Sequence, residues 1–259
     1  MYTRYYNAYQ KRPSDILDTI HEIVHQRSMK QHNSLSHHSK KKVLAIGDSH
    51  IRVFEHPFFR YGFPRTEFKV VYVPGATASG INNVNSLSQA YNIFRSALEQ
   101  ERYDGIIVTL GEVDAAYTIW KRAHTHHASV ESIVDDVVAK YQAFILSLHT
   151  YAPTTVLSAP LQTIADCKGC NDKTSQVRSS IDIPIQERTK LGLYFNRRIK
   201  CFCEEKSIDY LDLDPWSLGK NGTVRSWLIH PKNPCDHHYY RWRYALMIIL
   251  KMLSELPKP

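Results

Sequence analysis

Two short stretches carry the residue types needed for acyl transfer. One is Gly47-Asp48-Ser49, which closes the apolar run Val43 to Ile46. The other is Asp236-His237-His238, just ahead of the last apolar segment. A hydroxyl nucleophile needs a base to take its proton, and the base needs a carboxylate to orient it. Serine, histidine and aspartate fit those three roles. On a strand-to-helix turn, a serine hydroxyl stands at the edge of a sheet beside backbone N–H groups that can hold a developing oxyanion. The same stretch also reads as a helix start, with Asp48 or Ser49 as its cap. Asp236 is adjacent to His237 and two residues before His238, so spacing alone leaves the base open.

Something must bring residues so far apart in the chain together. Short apolar runs predict five strands: Val43 to Ile46, Phe68 to Val73, Gly105 to Leu110, Thr155 to Ala159 and Ile208 to Leu213. Helical periodicity lies between them. Leu87, Ala90, Tyr91, Phe94 and Leu98 share one face, and Ile133, Val137, Tyr141, Phe144 and Leu148 another. Leu191, Tyr194, Phe195 and Ile199 mark a third helix, and Tyr239 to Leu256 a fourth. Trp120 to His127 reads as a loop, as do the surroundings of Trp216 and Trp227. Alternating strands and helices predict a three-layer α/β/α sandwich around a five-stranded parallel sheet. The flavodoxin-like order 2-1-3-4-5 is the natural one, with its ligand crevice beside the end of the first strand. Three stretches end strands there: Gly47-Asp48-Ser49, Pro74-Gly75-Ala76 and Gly111-Glu112-Val113-Asp114.

Composition narrows the function classes. The 259 residues are 43% hydrophobic and 22% charged, enough for one full domain and an extension. A formal net charge of +8 raises nucleic acid, but no binding motif for it is present. An anionic surface or substrate is the expected partner of that charge. Ala245 to Leu253 is too short to span a membrane, and Met1 to Asn7 has no apolar core, so a cytoplasmic location is expected. Residues 1–40 read as a helical extension and a His/Ser/Lys-rich linker, and 41–259 as the main domain. Thr163 to Ile183 reads as a loop insertion. The five cysteines read as thiols in a reducing compartment. No metal or other cofactor is expected, either at Cys167/Cys170 and Cys201/Cys203 or at His124, His126 and His127.

These residues and their order resemble the SGNH/GDSL hydrolases over about residues 42 to 256. That family has a Gly-Asp-Ser nucleophile after the first strand and a glycine after the second. A Gly-x-Asn-Asp stretch follows the third, and an Asp-x-x-His stands near the C-terminus. The resemblance implies Ser49 as nucleophile, with the N–H groups of Ser49 and Gly75 as oxyanion donors. It implies His238 as base, because an aromatic residue and a helix follow it, and Asp236 as the orienting acid. His50 and His237 would then border the substrate. Glu112 and Asp114 would bind a sugar hydroxyl or an ammonium group, or else stabilise their loop. Two departures stand out: Val113 occupies the Asn position, and the Asp-to-His spacing is two. The implied activity is removal of an acyl group, acetyl first, from a carbohydrate or small ester through an acyl-serine. The alternatives are an O-acyltransferase of polysaccharide modification and a non-catalytic binding module. A small-molecule or carbohydrate ester is the expected partner, with no nucleic acid and no membrane.

Overall fold

The computed structural model describes residues 40–164, 182–233 and 235–255. The expected extension, Cys167, Cys170 and most of the expected insertion lie outside them. Five strands form one parallel sheet: β1 (Lys41–Gly47), β2 (Thr66–Tyr72), β3 (Gly105–Thr109), β4 (Thr154–Leu157) and β5 (Asp209–Leu211). Their order is β2-β1-β3-β4-β5, as the alternation predicts. The central strands are apolar in runs rather than in alternation because both faces are covered. Leu44, Ile46, Ile106, Val108 and Val156 pack on one face, while Ala45, Ile107, Leu157 and Leu211 pack on the other. Helices α2 (Ala90–Gln100), α4 (Val130–His149) and α5 (Ile185–Glu205) cover the first face. Helix α1 (Phe58–Gly62) and the terminal helix α7 (Arg241–Glu255) cover the second. The result is a three-layer sandwich.

Helix α4 begins where Ser129 Oγ accepts the N–H of Ser132 at 3.1 Å, a standard N-cap. Its Tyr141 reaches the sheet edge, where the hydroxyl accepts the Leu110 N–H at 3.1 Å. Its ring stacks on Phe195 of α5, with centroids 6.1 Å apart. A third glycine-bearing loop is built against that pair. Gly111 has φ +118, and an added Cβ there would meet the Phe195 ring at 2.2 Å.

Several local expectations are corrected. After Ser49 the chain makes a 3₁₀ turn, Ser49–Glu55, and Pro57 precedes α1. Leu87 is fully exposed and precedes α2, where Gln89 adopts a left-handed φ of 53. Tyr194 is exposed, its hydroxyl accepting from Arg198 at 2.9 Å. The stretch around Trp120 is not a loop: a π-helical turn (Asp114–Thr118) continues into α3 (Ile119–Thr125). Trp120 Nε1–H donates to the carbonyl of Ala115 at 2.9 Å. Trp216 lies in the short helix α6 (Asp214–Ser217), and Trp227 in a 3₁₀ turn.

Candidate active site

The site begins at the end of β1. Gly47 pairs with Tyr72 of β2 and Thr109 of β3, so three strands finish level there. A Cβ on Gly47 would meet the Thr109 carbonyl oxygen at 2.3 Å. Glycine is therefore required for the strands to close up at this point. The chain then turns out of the sheet. Asp48 caps the 3₁₀ turn, its Oδ1 accepting the His50 N–H at 2.9 Å. Ser49 is thereby lifted to the rim.

The C-terminal stretch comes to meet it. Asp236 Oδ1 accepts the His238 backbone N–H at 2.9 Å and faces His238 Nδ1 at 2.9 Å. His238 Nε2 lies 2.8 Å from Ser49 Oγ. A carboxylate can only accept, so Nδ1 carries a hydrogen and Nε2 offers its lone pair to the serine hydroxyl. Burial opposes charge on Asp236, but the ring and backbone donors of His238 hold its carboxyl down at about 2. The carboxylate is thus ionised at neutral pH and keeps the imidazole in that tautomer. Of the two histidines, His238 is the one on the serine. Its ring stands 3.9 Å, centroid to centroid, from that of His237.

A second Asp-x-His unit mirrors the first. Asp48 Oδ1 takes both the His50 N–H and the His50 Nδ1–H, each at 2.9 Å. His50 Nε2 lies 3.2 Å from the backbone carbonyl of His237. Both ring nitrogens therefore face groups that only accept, so both are protonated and the ring is an imidazolium. Burial opposes the charge, yet the Asp48 carboxylate overcomes it. With Glu112 and the His237 carbonyl adding to the pull, His50 is pushed up to about 9. The His50 ring sits 4.7 Å from that of His238. It fastens Asp48, the residue before Ser49, to His237, the residue before His238. The repeat of Asp-x-His in Asp48-Ser49-His50 and Asp236-His237-His238 is a sequence signal that sequence reasoning missed.

Of the residues expected at the substrate, His50 lies on the cavity wall beside Ser49, whereas Glu112 and Asp114 do not line it. His50 is 3% exposed, and Glu112 and Asp114 are fully buried. Asp114 accepts the N–H groups of Ala78 and Ser79 at 2.7 and 3.1 Å. It holds the loop after β2 in place, as the loop-stabilising reading has it. Burial raises its carboxyl, and the bonds from Ser79 and Ala78 only partly offset that. Ser79 N–H is thus already used. Val113 leaves no side-chain donor at its position. Gly75, with φ +71, lies exposed in the same loop, which Val73 N–H ties to the Gly47 carbonyl at 3.0 Å.

A cavity of about 270 Å³ opens onto Ser49, His238 and Asp236. Val53, Tyr239 and Tyr244 contribute apolar lining, while Arg52, Arg241 and His230 contribute nitrogen. A larger cavity, about 480 Å³ and lined by Phe59, Phe63 and Glu67 among others, does not include Ser49. Among the described residues, Asp236, His237 and His238 are the one group whose donor atoms gather within 4.8 Å of one another as a metal would need. Of these, His238 is engaged with Ser49 and Asp236 with His238. Among the described cysteines, Cys201 and Cys203 are free, but Cys235 is disulfide-bonded. The expectation of five thiols is corrected there.

No family model and no curated protein matches the sequence. Solved structures do. A GDSL-like lipase from Bacteroides thetaiotaomicron superposes with a TM-score of 0.52 at 11% identity, covering 92% of this chain and 100% of that one. A catalytic mutant of an acetylxylan esterase from Geobacillus stearothermophilus gives 0.50 at 11% identity, covering 85% of this chain and 96% of that one. The chain therefore has the SGNH/GDSL hydrolase fold.

Proposed function

We propose that the protein is a serine esterase that removes an acyl group, acetyl first, from a carbohydrate or other small ester. The observation that carries this reading is the chain Ser49 Oγ, His238 Nε2, His238 Nδ1, Asp236 Oδ1, with links of 2.8 and 2.9 Å, at the wall of an open cavity. In the first half-reaction His238 Nε2 takes the Oγ proton as Ser49 attacks the acyl carbon. A C–O bond forms, and the carbonyl pair moves onto oxygen. Collapse breaks the ester C–O bond, and His238 returns its proton to the leaving alkoxide. Water then repeats the sequence on acyl-Ser49, releasing the acid and restoring the serine. Asp236 stays ionised and stabilises the imidazolium. The N–H groups of Ser49 and Gly75 are the proposed oxyanion donors. Without a side-chain donor at Val113, turnover is expected to be slower by about 100- to 1,000-fold than with one.

The test is hydrolysis of p-nitrophenyl acetate, then of acetylated sugars, by wild type and Ser49→Ala. We expect wild type to release nitrophenol and the variant to lose that release. Absent hydrolysis by wild type, or activity retained without the hydroxyl, sinks the reading. Stoichiometric labelling of Ser49 by a fluorophosphonate, lost in His238→Ala, would rule out a purely binding module.

The apolar lining from Val53, Tyr239 and Tyr244 favours one second reading, transfer of the acyl group to a sugar hydroxyl instead of water. Transfer no faster than hydrolysis in an acceptor assay counts against it. The disulfide at Cys235 bears on location. Disulfides persist in oxidising compartments, so it supports work there over the expected cytoplasm. No helix among the described residues is long and apolar enough to cross a membrane.

A further inference from the structure

The cavity beside Ser49 carries a charge pattern that the hydrolytic chemistry does not use. Arg52 lies three residues after Ser49, and Arg241 three residues after His238. The turns that present nucleophile and base thus each deliver a guanidinium to the same opening. The two are linked: Arg241 Nη2 donates to the Arg52 carbonyl at 3.0 Å and to Glu55 Oε2 at 3.0 Å. Arg52 Nε reaches the same Glu55 oxygen at 3.4 Å. One carboxylate therefore serves two guanidinium groups, leaving a surplus positive charge at the rim. Asp236 is the sole carboxylate in the cavity wall among the described residues, and it is committed to His238. Arg52 is also packed over the Tyr72 ring, 4.8 Å from its centroid. That contact restrains a side chain that would otherwise sample many rotamers, so less entropy is lost when it binds. Both arginines remain about half exposed, with spare N–H donors for a ligand.

We propose that the alcohol part of the ester carries a carboxylate, so that the substrate class is an O-acetylated acidic sugar of the uronic-acid type. Arg52 and Arg241 read its charge. The inference rests on the esterase reading of Ser49. A guanidinium fork matches a carboxylate with two parallel hydrogen bonds, which an ammonium cannot do. A cavity of about 270 Å³ has room for one sugar ring, with Tyr240 and His230 on its wall for the ring face. The net charge of +8 draws such an anion toward the protein.

The test compares two acetylated methyl uronosides that differ by one charge, the free acid and its methyl ester. Wild type should show a kcat/KM about tenfold higher for the acid at low salt, a ratio that shrinks toward one in 0.5 M salt. The ratio should collapse in the Arg52→Gln/Arg241→Gln double variant and be only partly kept in Arg52→Lys, which preserves the charge but not the fork. Equal rates on acid and ester in wild type, or an intact ratio in the double variant, overturn the proposal. Calorimetric titration of Ser49→Ala with the two unacetylated uronosides separates this inference from the reaction it rests on. Tighter binding of the acid supports the pocket, and equal binding overturns it, whatever p-nitrophenyl acetate shows. Loss of that neutral hydrolysis alone sinks the esterase reading.

Discussion

His50 shows how a single buried charge can set the distance between two others. It is bonded on one side to the carboxylate ahead of Ser49 and on the other to the carbonyl ahead of His238. Each bond requires a proton on its nitrogen. His50→Gln can keep one of them at most, so the 2.8 Å approach of Ser49 to His238 should loosen. We expect kcat to fall roughly 10- to 100-fold with little change in KM, because a misplaced base costs rate rather than binding. The pH profile distinguishes this from simple damage. Since the His50 proton is held to about 9, wild-type kcat should decline as pH rises through that value. In the variant that limb should be missing, and a limb that persists there would separate His50 from it. Ser49, His238 and Asp236 were legible because their chemistry demands those residue types. Glu112 and Asp114 were misplaced for a common reason. Polar residues beside a strand end read as solvated, and only the packing of α4, α5 and the loops over that end makes them interior. Once interior, they must find partners within the protein, and Asp114 does so at Ala78 and Ser79.

At the scale of elements, the site depends on how closely three strand ends can approach. Gly47 sits between Tyr72 and Thr109, with no room for a methyl group. Gly47→Ala would have to push the Thr109 carbonyl away, parting β1 from β3 where Ser49 leaves the sheet. Overpacking of this kind typically costs 1–3 kcal/mol. We expect a lower Tm together with a loss of esterase activity larger than the loss of folded protein at 25 °C. Activity that merely tracks the folded fraction would mean that the strand ends tolerate the shift. The strands themselves were legible from apolar runs, because a sheet covered on both faces allows little else. The π-helical turn and α3 were not. Their inward face is made mostly of small residues, Ala115, Ala116 and Ala123 with Ile119, which give a weak apolar signal, and Trp120 Nε1–H is fastened back to the Ala115 carbonyl. Leu87 misled in the opposite sense, matching the spacing of α2 while standing outside it.

Across the whole molecule, two groups tie stability to pH in the same direction. Burial, with Asp212 beside it, raises the Asp214 carboxyl to about 7, against bonds from Asn196 and Ser158 and the charge of Lys200. The unfolded chain gives up that proton near 4, so stability falls as pH climbs from about 4 to 7. His50 is raised instead as a cation, so its contribution is complete below about 6.5 and is lost as pH passes about 9. We expect Tm to be highest near pH 4 to 5 and to fall toward pH 9. Asp214→Asn can still accept from Asn196 Nδ2. It should remove the part of the fall between 4 and 7, on the order of 4 kcal/mol, and leave the later part. A thermal-denaturation series in which both proteins fall in parallel would refute the assignment.

Ser49 and His238 stand 189 positions apart in sequence and 2.8 Å apart in space. Closing a loop over that span is slow beside the formation of local strands and helices. While the chain is still being made, Ser49 is an ordinary alcohol at the end of a strand, unable to attack any ester it meets. Reactivity arrives when α7 docks and carries its preceding histidine to the rim. On the proposed esterase reading, activity at Ser49 would therefore report completed folding: a chain that has not docked its last helix onto the sheet has no base beside the serine.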